Sequence, residues 1–383
     1  MAFDISKSVI IDNHAHSLLK SFRDMDEICF RQCFTESRSL TIVKEHMQHS
    51  VHYTDMLDHL ERVFNTRDES SFLNFRGQQA QHTFVQMLWD DVSIGALIID
   101  DGFQTAESMT LDELAAVSKR PIYHCRRLEP LIEECLEIAG SLEEAEKLFQ
   151  NKLEQSNENT YRTVSYKTIC GYRGGLQLLT PERAEAQRDF DRIKSDLELS
   201  ENKKLRITKC AVYHFLLLRA FEIAGERNIP VQVHAGIGDD DADLIACNPA
   251  LMQPLFRSRD FAKTSFVLLH CFPYEKEAAF LCSLYGNVFM DLSLSISMAS
   301  PLATNIISDA LAIAPASKIL AGTDGHSCPE SHWYGAVCWK RGLTGSLFDM
   351  INAGMLTQRE AEETGALILH GNAIRLYGLE GLA

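Results

Sequence analysis

The sequence predicts an α/β fold, a (β/α)8 TIM barrel with a long helical insertion after the first strand. Three observations carry that prediction. Short β-rich apolar runs recur eight times in 383 residues, each run leads through a polar loop into a stretch of helical periodicity, and histidine, lysine and aspartate stand at the ends of the runs. Repeated βα units build a parallel sheet, and eight of them suffice to close a barrel.

The first run is SVIIDNH, ending at His14. GALIIDDG ends the second at Gly102, RPIYHCRRLE the third at Glu129, and YRTVSYKTI the fourth at Ile169. IPVQVHAG closes the fifth at Gly236, SFVLLHCFP the sixth at Pro273, NVFMDLS the seventh at Ser293 and KILAGTDGH the eighth at His326. Between the first two runs, about residues 22–91, apolar residues recur at helical spacing in YTDMLDHLERVF and QAQHTFVQMLW. That length exceeds a simple βα connection and is expected to fold as a helical insertion, covering the barrel mouth or making a subunit contact. Later helical patterns alternate with the strands: LEPLIEECLEIAGSLEEAEKLFQNKLEQ, PERAEAQRDFDRIKSDLELS, HFLLLRAFEIAGERN and TQREAEETGALILHGNAIRLYGL. No repeat, low-complexity tract or Gly/Ser linker interrupts them, so residues 1–383 are expected to form one domain.

Composition bounds the function. Asp and Glu outnumber Lys and Arg by 53 to 37, a net charge of -16 that repels phosphate backbones and anionic membranes. Nucleic acid and membrane are therefore excluded as expected partners, leaving a small-molecule substrate and, given the large insertion, a homo-oligomer. The 11 cysteines are odd in number and lack any C-x-x-C pair, which disfavours a disulfide framework. With neither a leader-like N-terminus nor an apolar window of spanning length, cytoplasmic residence is the default expectation.

In such a barrel the chemistry sits at the C-terminal strand ends. There the runs place His14 and His16, Lys167, His234, His270 and Asp324. His14 and His16 are separated by one residue, so on an extended chain both imidazoles face one way and can reach one ion. Alone, an H-x-H pair is a weak signal; with histidines and a carboxylate at equivalent heights of other strands it reads as a divalent-metal site. The donor set suits zinc, and also iron, manganese or nickel.

Other polar residues at the same rim carry two readings each. Arg173 in GYRGG could clamp a substrate carboxylate in bidentate fashion or cap a helix at the surface. Arg126 in HCRRLE is a weaker candidate, since Glu129 could simply pair with it. Asp240, in the loop GIGDDDADL, could meet a substrate amine or sit at a solvated helix N-terminus. His326 and Glu330 follow Asp324, and Glu330 serves equally well in a helix first turn. Asp100 and Asp101 either touch the site or make the turn before Gly102. His46, His49, His52 and His59 lie in the insertion at mixed spacing and read as surface or packing residues.

DNHAH, VHAG, LLHCFP, GTDGH and ILHGNAIRLYGL together resemble the amidohydrolase superfamily of metal-dependent hydrolases. HAGIGDDDADL, YKTICGYRGGL and TDGHSCPESHWYGA are similar to the amidohydrolase domain fused, in nodulin-like and some fungal proteins, to a glutamine synthetase domain. No second domain follows the last barrel helix in this sequence, so ligase activity is not expected. The resemblance implies that His14, His16, His234 and Asp324 ligate metal, with Asp324 as general base and then acid. It implies that His270 is either a ligand of a second metal or a donor to the reacting oxygen. Lys167 would be a carboxylated lysine bridging two ions, or a free ammonium facing the substrate. The implied reaction is hydrolysis of an amide-type C–N bond in a small polar, carboxylate-bearing substrate. The alternatives are a mononuclear-metal decarboxylase or isomerase of the same superfamily, and a catalytically silent binding protein.

Overall fold

The computed structural model describes residues 3–103, 105–155, 161–199, 204–379 and 381. Eight strands follow one another around one parallel sheet in chain order: β1 (Ile10–Ala15), β2 (Ile94–Asp100), β3 (Ile122–Arg127), β4 (Thr163–Thr168), β5 (Val231–Ala235), β6 (Phe266–His270), β7 (Val288–Asp291) and β8 (Ile319–Leu320). The (β/α)8 barrel expected from the eight runs is the fold observed. Strand residues are buried almost throughout, as a sheet covered by helices outside and side chains inside requires. Inside, Ile11, Ala96, Ile98, Cys125, Val164, Val267, Leu269 and Leu320 pack in one cluster, with Tyr377 of the C-terminal helix Asn372–Tyr377 set against it.

The eighth run is strand for only two residues, and the reason bears on the site. From Ala321 onward the chain runs beside the end of β1 and satisfies its backbone there. The Asn13 amide donates to the Ala321 carbonyl at 3.0 Å, the Asp324 amide to His14 at 2.9 Å, and the His16 amide to Gly325 at 2.8 Å. Asp12 secures the same seam by accepting from the Thr323 amide at 2.8 Å and from its hydroxyl. Asp324 thus lies past its strand, on a segment laced to the strand that carries the histidines.

The insertion forms α1 (Glu27–Gln32), α2 (Val51–Phe64), α3 (Glu69–Gln78) and α4 (Gln81–Asp91). Asp26 and Asp68 cap α1 and α3 by accepting from the amides of Cys29 and Ser71. Phe30, Phe34, Tyr53, Phe64, Phe72 and Phe84 pack ring to ring between these helices. Phe30, Tyr53, Phe72 and Phe84 are fully buried, and each contributes roughly 1.5–3 kcal/mol. The insertion is fastened to helix Pro329–Asn352 by polar contacts: Trp89 Nε1 donates to the Pro329 carbonyl at 3.2 Å, and Arg341 grips Asp55 in a fork at 2.7 and 2.8 Å. The expected helix 128–155 is two helices, Leu128–Ile138 and Leu142–Gln155, broken at Ala139 and Gly140. Ser200, the last residue of the expected helix 181–200, lies outside the described residues. The 11 cysteines are free thiols, and among the described residues no helix is long and apolar enough to cross a membrane.

Candidate metal centre

The C-terminal strand ends and the first part of the insertion enclose a cavity of about 830 Å³. At its floor the structure brings together His14, His16, Lys167, His234, His270 and Asp324. His14 and His16 approach the same atom: their Nε2 atoms lie 3.1 and 3.4 Å from Asp324 Oδ1. His270 Nδ1 is 3.9 Å from the other oxygen of Asp324, its ring centroid is 4.6 Å from that of His234, and Lys167 Nζ lies 3.1 Å from His14 Nε2.

Backbone geometry holds this cluster in place at some cost. His270 and Asp324 adopt left-handed φ values of 64° and 54°, which side-chain-bearing residues seldom occupy outside helix C-caps. The seam with β1 imposes the one; Asp291, accepting from the His270 amide at 2.8 Å, supports the other.

The hydrogen-bond network also assigns the tautomer of His14. Gln232 on β5 donates its amide N–H groups to the Asn13 carbonyl at 2.8 Å and to Tyr377 Oη at 3.1 Å, so its carbonyl oxygen accepts from His14 Nδ1 at 2.9 Å. Nε2 of His14 is thereby left with its lone pair toward Asp324. His270 Nδ1 lies 2.8 Å from Ser293 Oγ, whose hydroxyl donates to Asp291 at 2.9 Å, and 3.4 Å from the Leu294 amide.

Electrostatics complete a ligand set. Burial pushes the His14 imidazole down to about 4, with the Lys167 charge adding to the effect. Burial likewise holds His234 and His270 well below their ordinary range. For Asp324 burial works the other way, but the imidazoles of His270, His14 and His16 carry its carboxyl well below the usual carboxylate range. Neutral imidazoles around an ionised carboxylate are what a divalent cation requires. The fit is seen in atoms without partners: Asp324 Oδ1 and His234 Nε2 are buried and make no hydrogen bond. His14, His270 and Asp324 offer ligand atoms all within 4.8 Å of one another, as do His14, His16 and Asp100. The residues present therefore fit a metal ion.

Around this floor the other rim residues divide. Arg173 lines the cavity, 3.6 Å from Glu133, and its Nε is buried without a partner. His326 lines it too, beside Ser327. Arg126 does not. It faces Asp101 at 3.8 Å, while Glu129, the partner weighed for it, accepts instead from Thr168, Ile169 and Tyr213. Arg127 takes the cavity position, because it shares a strand face with Cys125, whose thiol reaches Gln232 inside the barrel. Asp240 is also displaced by one residue: it pairs with Arg38 at 3.3 Å, and Asp239 and Asp241 line the cavity. Glu330 is not at the rim. It is fully buried beneath the insertion, paired with Arg76 at 3.0 Å.

Both readings of Asp100 hold, since it accepts from the Gly102 amide at 2.8 Å and lies beside His14 and His16. Burial would raise its carboxyl, but the Arg127 guanidinium bound to it holds it far below the usual range. In the insertion, His52 Nε2 bonds the Phe34 carbonyl and His59 Nδ1 the Asp55 carbonyl, as packing residues do. Glu36, Arg127 and Tyr172 line the cavity without having been singled out by sequence. Strand alternation from Cys125 could have found Arg127; no local pattern pointed to Glu36.

Comparison with known proteins agrees with this geometry. Residues 195–379, which carry His234, His270 and Asp324, match the family described as Amidohydrolase. Protein fluG of Emericella nidulans is 27% identical over 97% of this chain, which spans 46% of that protein, about half its length. Among solved structures, a protein of Lactobacillus casei named as a metal-dependent hydrolase superposes with a TM-score of 0.87 at 24% identity, covering 100% of this chain and 99% of its own. Uronate isomerase of Thermotoga maritima superposes with a TM-score of 0.67 at 14% identity, covering 97% of this chain and 95% of its own. These two likenesses speak to the barrel fold. The resemblance carried by the histidine motifs is thus met over residues 195–379, where this chain matches the Amidohydrolase family.

Proposed function

We propose that this protein is a divalent-metal-dependent hydrolase that cleaves an amide-type C–N bond in a small polar substrate bearing a carboxylate. One observation carries the reading: a buried Asp324 oxygen without a hydrogen bond, faced by the Nε2 atoms of His14 and His16 at 3.1 and 3.4 Å. His14, His16, His234 and Asp324 would hold the ion, zinc by this donor set, which when bound supplies Lewis acidity and water that ionises near neutral pH.

The chain's own residues do the rest. Asp324, ionised and at the cavity floor, takes the proton of the attacking water and returns it to the leaving nitrogen. His270, at the cavity floor, stabilises the developing oxyanion. Arg173 offers its guanidinium to the substrate carboxylate. Lys167, buried against His14, is placed either to be carboxylated and bring a second ion or to remain a free amine. Metal count separates the hydrolase from the decarboxylase and isomerase readings: two ions per chain with carboxylated Lys167 favour hydrolysis, and one ion with the free amine favours the others.

The experiment is turnover of a panel of N-acyl amino acids, γ-glutamyl amides and dipeptides by metal-loaded wild type and by Asp324→Asn. The proposal expects hydrolysis of a panel member and a loss of 10²-fold or more in the variant, the scale of proton transfer by a positioned group. A variant that retains full turnover would falsify the role given to Asp324.

A further inference from the structure

The cavity lining mixes charges on both sides. Toward the barrel Arg127, Lys167 and Arg173 stand with Asp239 and Asp241; toward the insertion Glu36, on the loop after α1, stands with Arg38. Arg127 is engaged by Asp100, whereas Arg173, 3.6 Å from Glu133, keeps its buried Nε without a hydrogen bond.

Glu36 is unusual in its surroundings. Among the described residues its carboxylate makes no hydrogen bond and no ion pair, and the charges nearest to it in effect are two further carboxylates, Asp324 and Asp239. Arg38, two residues on, turns away to Asp239, Asp240 and Asp241. Burial, with those neighbouring carboxylates, pushes the Glu36 carboxyl up to about 8. Glu36 is half-buried beside other acids, and an arriving cation offsets the cost of desolvating its carboxylate. Neither trio of ligand atoms within 4.8 Å of one another, His14–His270–Asp324 or His14–His16–Asp100, includes Glu36. An organic ammonium, which donates along three N–H directions and needs no closed ligand cage, suits a single carboxylate on a cavity wall.

We propose that Glu36 is a specificity-determining residue that receives a protonated amine of the substrate while Arg173 meets its carboxylate, so that the preferred substrate is zwitterionic. The inference rests on the cavity being the substrate site and adds the ammonium group to the carboxylate-bearing substrate proposed above.

The test measures binding, with no need for turnover. Matched probes that differ only in the amine are titrated calorimetrically into the metal-loaded full chain: L-glutamine against glutaramic acid, and L-asparagine against succinamic acid. The expectation is at least tenfold tighter binding of an amine-bearing probe, falling to within threefold in Glu36→Gln, with the affinity for the amine-free partner unchanged. Glu36→Asp should keep part of the preference, which separates loss of charge from loss of fold. Equal binding of both members, binding of neither, or an undiminished preference in Glu36→Gln overturns the proposal. A chain that prefers the amine yet hydrolyses nothing removes the hydrolase reading and leaves Glu36 its role; one that hydrolyses both members equally does the reverse.

Discussion

Gln232 Oε1 lies 2.9 Å from His14 Nδ1 and fixes both the orientation and the tautomer of that imidazole. Tyr377, reaching up from the C-terminal helix, and the carbonyl of Asn13 in turn fix Gln232. The candidate metal centre therefore leans on a helix that does not line the cavity.

Partners of this kind typically contribute 10- to 100-fold to metal affinity. Gln232→Ala is expected to weaken binding by that order, and Tyr377→Phe by less, because the Asn13 carbonyl still holds the amide. Competition with a zinc-selective chelator reads both. Wild-type affinity in Gln232→Ala would show that His14 needs no such support.

Arg76 and Glu330 form a fully buried pair at 3.0 Å joining the insertion to the helix that follows Asp324. Removing one partner leaves an uncompensated buried charge, so Arg76→Met should destabilise the fold by about 3–5 kcal/mol. Replacing both, Arg76→Met with Glu330→Leu, should recover most of that loss. Denaturant titration of the two variants checks the pair; equal losses in single and double variants would contradict it.

Burial raises the carboxyl of Asp12 to about 7 and that of Asp291 to about 6. A carboxyl that holds its proton more tightly in the folded than in the unfolded chain contributes stability below the unfolded value, near 4, and loses it as pH rises through the folded value. For these two groups stability falls between about pH 4 and 7, by at most about 1.4 kcal/mol per unit for each group. Asp12→Asn should remove its share of that slope in metal-free protein. An unchanged difference between variant and wild type from pH 4 to 7 would rule out the linkage.

Arg38 spans from the insertion to Asp239, Asp240 and Asp241 at the opposite rim, at 2.9, 3.3 and 3.4 Å. Exposed pairs stabilise a fold little, so Arg38→Ala should change unfolding by less than about 1 kcal/mol. Its effect should appear locally, as faster amide exchange in residues 33–41 that is mimicked by high salt in the wild type. Unchanged exchange would mean that the loop is held by its apolar contacts alone.

The barrel was legible because its signal is repeated: eight apolar runs leave little room for another closed arrangement. The floor of the site was legible for the same reason, since His14, His234 and His270 lie on strands whose ends are set by the fold. Errors arose where position depends on one residue of register or on distant partners. Arg126 and Arg127 are both plausible by residue type, and only the face shared with Cys125 decides between them. Asp239, Asp240 and Asp241 all pair with Arg38, and which of them line the cavity depends on the turn of the folded loop, which no local pattern records. Glu330 looked like a rim residue because its counter-ion, Arg76, is 254 positions away. Glu36 gave no signal, because its meaning comes from lacking a partner in a cavity that only the folded insertion creates.

The central claim is that His14, His16, His234 and Asp324 close around one ion. Anomalous diffraction at the zinc edge from zinc-loaded crystals tests it most directly. The expected result is a peak within roughly 2.0–2.2 Å of the three imidazole nitrogens and of an Asp324 oxygen. A peak on His14, His16 and Asp100 that leaves His234 and Asp324 unbound, or no peak in the cavity, would contradict it.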